Sequence, residues 1–431
     1  IYSDNSKTDK VKWQGLGYFV YDENYLVNRS RLIKGRINSI KLKNISISSS
    51  DNLFNFEDYQ ASNFPVEAET IECENPKDSK KYFFAGRMSI KWNTSCTKIK
   101  FNDHKNNSIV MDLKNNIALN SKKNIYTKKK FINLSENPDI VRNSENEFSI
   151  NNSIDIKENS LIRKNEKFTL NKGNSINIFK NATLFVEGEI IFINDDENYS
   201  KIISEDGTGS LIFYENEFNF KNLLFENLSK PNLNNYILYG GVNFINSNIK
   251  LDNIIIRNSK NEDGINIINS KSEISNIYFE NIKADALDLD FGEMQFTNIY
   301  CSKINNDCLD ISGANVKGKN LVSKNAFDKG ISVGENSNVK IQNLNITNNN
   351  IALAVKDGSI AELKNINLKE NNYDIALFNK KKEFTKPQLV LNNINNLDEK
   401  KILQAEGTVL IIDDNNFSGK MKDEYINSII Y

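Results

Sequence analysis

An asparagine recurs every 22 or 23 residues through the C-terminal half of the chain, at Asn253, Asn276, Asn298, Asn320, Asn343 and Asn365. Each is followed by an aliphatic residue: Ile254, Ile277, Ile299, Leu321, Leu344 and Ile366. A period of this length marks a solenoid; it is too short for a propeller blade or a helix pair and long enough for one coil of two or three short strands. Asparagine enters the left-handed backbone region more readily than other non-glycine residues. Its amide can also donate to and accept from an identical neighbour, so stacked coils would build a side-chain ladder. Asparagine abundance alone would not keep the aliphatic residue in phase.

A second register runs alongside. Gly264-Ile265-Asn266-Ile267, Ala286-Leu287-Asp288-Leu289, Cys308-Leu309-Asp310-Ile311, Gly330-Ile331-Ser332-Val333 and Ala352-Leu353-Ala354-Val355 begin 22 residues apart. Their alternation has period 2, as in a strand with one face in a core. Stacking predicts two aliphatic columns, Ile265/Leu287/Leu309/Ile331/Leu353 and Ile267/Leu289/Ile311/Val333/Val355. The small residue opening each segment fits a corner where the backbone turns tightly against its neighbour. The expected fold is all-β: a right-handed parallel β-helix, because parallel crossovers are right-handed, behind a separate, mainly-β N-terminal domain.

Composition narrows the function classes. Lys+Arg number 55 against 56 Asp+Glu, a net charge of −1, so no basic stripe suggests a nucleic-acid partner. No apolar run reaches transmembrane length. No signal peptide is visible, and a start at Ile1 rather than Met suggests a processed product or an excised fragment. The single histidine, His104, lies outside the repeats, which argues against a His-ligated zinc or a Ser-His-Asp triad within them. Cys73 and Cys96 could pair or remain free thiols. Cys301 and Cys308 read as small buried residues rather than redox groups.

The expected domains are 1–145 (mostly β), 146–415 (the β-helix) and 416–431 (a C-terminal cap or tail). Strand-like stretches in the first include Tyr18–Tyr21, Ile40–Leu42, Tyr82–Phe84 and Met88–Ile90, and the polar stretch 113–150 reads as a linker. Tapering early coils should carry Ile154–Ile156, Phe168–Leu170, Ile176–Ile178 and Leu184–Val186. Asn222 and Asn393 extend the ladder at intervals of 31 and 28, with insertions near Pro231–Gly241 and Lys380–Pro387.

The polar positions of the second register also form columns: Asn266, Asp288, Asp310, Ser332, then Ile268, Asp290, Ser312, Gly334, Lys356, with Asp263, Asp285, Asp307 and Lys329 at the corner. Asp288 and Asp310 should lie one coil apart, roughly 5 Å at the backbone. Like charges so placed repel. Calcium held by Asp288, Asp290 and Asp310 could offset this, as could Lys329 and Lys356, solvent and salt, or protonation of a carboxylate. Corner aspartates bonding backbone amides on a solvated surface are the plainer alternative. For catalysis, Asp288 and Asp310 could serve as a carboxylate pair, or Lys329 as a base beside a bound cation.

The segments Glu262–Ile267, Ala284–Phe291, Asn306–Gly313, Asp328–Ser337, Lys356–Ser359 and Lys380–Phe384, taken in order, resemble the β-helix region attached to CotH-like (spore-coat-kinase-like) bacterial proteins. More broadly they look like the pectin-lyase-like superfamily. The resemblance implies an extracellular, cell-surface or periplasmic setting. It brings no agreed activity, and residues 1–145 show no kinase-like segment. The matching positions nominate Asp263, Asp285, Asp307, Glu335 and Lys356 as ligand-binding residues. The resulting expectation is a secreted or surface protein that binds polysaccharide or cell-envelope glycan, with calcium an optional aid. The alternatives are a polysaccharide lyase, epimerase or hydrolase, and a structural or adhesive rod.

Overall fold

The computed structural model describes residues 131–431, except 233–237, 261 and 382–383, together with seven strands before them. The chain divides into two compact units, Ile1–Thr127 and Lys128–Tyr431. In the first, Val66–Cys73 lies antiparallel between Lys81–Phe84 and Cys96–Asn102, and Ser108–Asp112 extends that sheet. Ile45–Ser48, Leu53–Phe56 and Met88–Ser89 form a second, antiparallel sheet. Strands therefore stand at two of the expected stretches, Tyr82–Phe84 and Met88–Ser89. Tyr18–Tyr21, Ile40–Leu42, His104 and residues 113–130 lie outside the described residues. Cys73 is disulfide-bonded, and the strand register sets Cys96 opposite it.

The second unit is a parallel β-helix. One sheet stacks twelve strands, from Ile132–Asn133 to Ile402–Gln404, and another stacks thirteen, from Ile154–Ile156 to Asn415–Ser418. A shorter sheet of four strands flanks the early coils. The linker expected over 113–150 is not found from residue 131 onward: Ile132 pairs with Ser160 and already belongs to the solenoid. The expected early strands are present at Ile154–Ile156, Lys167–Leu170, Ser175–Ile178 and Thr183–Val186.

The asparagine ladder forms the bend of each coil. Asn298 sits at φ 64° in the middle of strand Glu293–Ile304. Before it, Met294 and Phe296 point inward; after it, Ile299 and Cys301 do. Simple alternation would have sent residue 300 inward, so the left-handed residue shifts the phase by one and turns the strand around the core. The amides stack as the period requires: Asn298 Nδ2 donates to Asn276 Oδ1 at 2.7 Å, Asn320 to Asn298 at 2.7 Å, Asn343 to Asn320 at 2.8 Å and Asn365 to Asn343 at 2.9 Å. Both outlying members join, with Asn253 donating to Asn222 at 2.7 Å and Asn393 to Asn365 at 2.9 Å. One rung differs: Asn276 donates to Asp252 rather than Asn253.

Both aliphatic columns are in register and no more than 1 % exposed. The corner explains its small residues. A Cβ on Gly264 would meet the Ala286 carbonyl at 2.8 Å, and one on Gly330 would meet that of Ala352 at 2.7 Å. Cys301 and Cys308 correct the sequence reading, since they form a disulfide joining the end of one strand to the start of the next sheet within a coil. At the C-terminal end, Asn415–Ser418 turns back antiparallel on Val409–Ile412. Helix Asp423–Ile430 then lays Ile426 against Ile351, Ala354, Ala376 and Phe378.

Replacing Asn298 with alanine removes two ladder hydrogen bonds and leaves a β-carbon in the left-handed region. The expected loss is about 2–4 kcal/mol in denaturant unfolding. Glycine, which tolerates that φ, should cost less than alanine. Equal and negligible losses for both variants would contradict the assigned role of Asn298.

Candidate functional site

In strand Leu287–Asp290 the leucines enter the core, so Asp288 and Asp290 must project from the opposite face. Stacking then places Asn266, Asp288, Asp310 and Ser332 in one row across four coils, and Ile268, Asp290, Ser312 and Gly334 in the next. This opposite face is not solvated. Asp263, Asp285, Asp288, Asp290, Asp307 and Asp310, with Lys329 and Lys356, are all between 0 and 8 % exposed. Solvent and salt therefore do not dissipate the repulsion, and the compensation must be local.

Part of it is structural. Asp263 Oδ1 accepts the backbone N–H of Asp285 at 3.0 Å, Asp285 Oδ1 accepts that of Asp307 at 2.8 Å, and Asp307 Oδ1 accepts that of Lys329 at 3.0 Å. The corner column is thus a carboxylate ladder in which each side chain holds the amide one coil on. Asn306 Nδ2 adds a bond to Asp285 at 2.7 Å. On the adjoining row Asn266 Nδ2 donates to Asp288 at 2.9 Å and lies 3.4 Å from Asp290.

Lysines supply further compensation. Lys329 Nζ reaches Asp307 at 3.4 Å and also bonds Asp328. Lys356 lies across Gly334, where a Cβ would touch its Cε at 3.5 Å. Burial alone would lower the pKa of Lys329, but Asp307 leads a set of acidic neighbours that outweigh it and hold the ammonium above its usual range. Lys356 shows the same balance, with Tyr431 and Asp310 favouring its charge. The acidic neighbours of Lys329 therefore favour its charged form. The ring of Tyr431 lies 5.2 Å from Lys329 Nζ and 3.5 Å from Lys380 Nζ.

Two carboxylates hold their protons to higher pH than free carboxyls do. Burial, with repulsion from Asp307, Asp310 and Asp288, pushes Asp285 well above the ordinary carboxylate range. Burial pushes Asp307 up to about 6, against the opposing pull of Lys329.

The remaining nominated residue, Glu335, stands apart at φ 62° and pairs with Lys381. The sequence reading omitted Asp357, which accepts the backbone amides of Lys380 and Lys381 at 2.7 Å each. Burial raises its pKa, against the lowering effect of Lys381. It lies in the segment Lys356–Ser359 quoted for the resemblance, and its bonds reach the start of the second insertion.

Among the described residues, ligand oxygens of Asp263, Asp285 and Asp288 approach within 4.8 Å of one another. An all-carboxylate set suits a hard cation such as calcium, whose oxygen ligands lie at about 2.3–2.6 Å. This grouping shares Asp288 with the expected calcium set, whereas Asp290 and Asp310 fall outside it.

No protein-family model matches the chain, and no curated protein sequence does. Among solved structures, three chains match. One point mutant of the periplasmic alginate epimerase AlgG is 10 % identical, with 65 % of this chain and 84 % of that chain covered at a TM-score of 0.36. A second mutant is 11 % identical, with 68 % and 84 % covered at 0.32. The likeness concerns the solenoid fold alone. Among the described residues no helix is long and apolar enough to cross a membrane.

The shifted carboxylates give a pH dependence with a definite sign. A folded-state pKa above the unfolded value means that the native state binds more protons, so stability rises as pH falls through that pKa. Between pH 7.5 and 5 the contribution of Asp307 and Asp285 should raise the thermal midpoint by a few degrees. Asp195, held at about 2, contributes only below that window. Asp307→Asn should flatten the rise in a differential scanning measurement; an unchanged profile would contradict the assignment.

Proposed function

We propose that this chain is an extracellular, cell-surface or periplasmic β-helix protein that binds polysaccharide with help from calcium at its acidic column. One observation carries the reading: Asp263, Asp285 and Asp307, and beside them Asp288 and Asp310, are buried and stacked at coil spacing, with buried Asp290, Lys329 and Lys356 alongside. Protons relieve part of that excess charge, and a divalent cation would relieve more. Asp263, Asp285 and Asp288 would hold the ion, with Asp290 and Asp310 beside them. Lys329 and Lys356 form the buried cationic edge of the same site.

The cysteines support the location. None is free among the described residues, and disulfides persist in oxidising compartments. The resemblance to the β-helix region of CotH-like proteins points to the same envelope setting.

A catalytic reading is favoured by one feature, the carboxyl group of Asp307 poised at about 6 beside an ammonium. In such a lyase, epimerase or hydrolase, acid–base work would fall to carboxylates, because Lys329 is held charged.

Calcium should stabilise the intact chain by about 2.7 kcal/mol at a hundredfold excess over its dissociation constant, read as a rise in the thermal midpoint. Asp288→Asn should abolish the shift. A glycan array probed with calcium and with chelator should show calcium-enhanced retention. Absence of a calcium shift and of any glycan retention would overturn the reading.

A further inference from the structure

Helix Asp423–Ile430 is the one α-helix among the described residues, and it lies on the sheet face that carries the acidic column. The row Asn266, Asp288, Asp310, Ser332 continues in register to Ala354 and Ala376. The corner column runs on from Lys329 to Ile351, and the outer one from Lys356 to Phe378. Ile351, Ala354, Ala376 and Phe378 are the residues on which Ile426 packs. Along the face the acids thus give way to an apolar patch, and the helix covers that patch. Past its far end, Tyr431 sets its ring 5.2 Å from Lys329 Nζ and 3.5 Å from Lys380 Nζ. A helix C-terminus favours nearby cations.

The polar anchors of the helix lie in its first five residues. Asp423 Oδ1 accepts the backbone N–H of Asn379 at 2.8 Å, and Asp423 also pairs with Lys386. Asn427 Nδ2 donates to the Asn379 carbonyl at 3.0 Å. Ile426 is the helix's one buried residue, whereas Tyr425 and Tyr431 are 58 and 55 % exposed. Eight residues do not make a stable helix in isolation, so lifting this one also melts it. Lifting breaks no coil-to-coil ladder, because its residues belong to no strand. At the edge of the covered patch, one coil from Ala354, Ser332 Oγ is fully buried and has no hydrogen-bond partner among the described residues. Such a hydroxyl costs free energy unless a water or a ligand meets it.

We propose that helix Asp423–Ile430 is a strap that closes over the lysine end of the acidic column and lifts to admit a small polar ligand to Ser332, Lys329 and Lys356. A segment with one buried side chain and an exposed flank opens at lower cost than the coils beneath it, without global unfolding. Passage under the strap is independent of whether the column takes calcium.

Thiol footprinting of the full chain tests this, since no cysteine among the described residues is free. Ser332→Cys and Ala354→Cys place a thiol at the edge of the strap and beneath it, Ala361→Cys places one in the solenoid core, and Lys317→Cys places one on the exposed surface. Labelling by N-ethylmaleimide, followed by mass spectrometry, should be slow at the first three and fast at Lys317→Cys. Adding Ile426→Ala should speed labelling of Ser332→Cys and Ala354→Cys at least about tenfold, because the strap loses its buried anchor. Ala361→Cys should keep its rate. Asp423→Ala, which releases Asn379 and Lys386 without touching the apolar patch, should act in the same direction. The proposal is overturned if Ser332→Cys labels as fast as Lys317→Cys in the otherwise unchanged chain, or if Ile426→Ala and Asp423→Ala leave its rate unaltered. Equal acceleration of Ala361→Cys would also overturn it, since the coils rather than the strap would then be opening. No calcium or glycan enters the measurement, so failure here leaves the acidic-column reading standing.

Discussion

The structure depends on registration between coils: each residue lies directly beside the residue 22 or 23 positions away. Left-handed asparagines enforce it. Each one bends its coil, resets which residues face inward, and ties its amide to the coil before. Aliphatic columns fill the interior because the bends recur in phase. The small corner residues then follow from contact with neighbouring backbone, as the carbonyls beneath Gly264 and Gly330 show.

Registration has an electrostatic consequence. A strand residue with a charged side chain meets its equivalent one coil away, so a repeated aspartate becomes a stack of like charges. The chain manages this in three ways. Corner carboxylates accept the next coil's amide. Lys329 and Lys356 take the positions where further acids would fall. Asp285 and Asp307 hold protons more tightly than free carboxyls do. On the other sheet, Lys250–Glu273 and Lys271–Glu293 pair across coils at 3.3 and 3.4 Å, so registration there joins opposite charges.

The periodic part of this architecture was legible in the sequence. Asn222 and Asn393 could be placed in the ladder despite their insertions because the bend needs both a left-handed residue and an in-phase aliphatic one. A second left-handed column, including Asn258, Asn281, Lys303, Asn325 and Asn348, was harder to see because a lysine interrupts the asparagines. The Cys301–Cys308 bond was hidden because it spans a corner whose geometry the pattern does not reveal. Burial of the aspartate face was also illegible, since period-2 alternation identifies a second face without saying whether solvent reaches it. The packing of Ile426 on Ile351 and Phe378 is similarly non-periodic.

A double-mutant cycle on Asn298 and Asn320 tests registration most directly, with Asn298 and Asn365 as the control pair. Neighbours sharing a 2.7 Å bond should show a coupling of about 0.5–3 kcal/mol, while the pair three coils apart should be additive within about 0.5 kcal/mol. Additivity in the adjacent pair, or equal coupling in both, would contradict the stacking on which every column here rests.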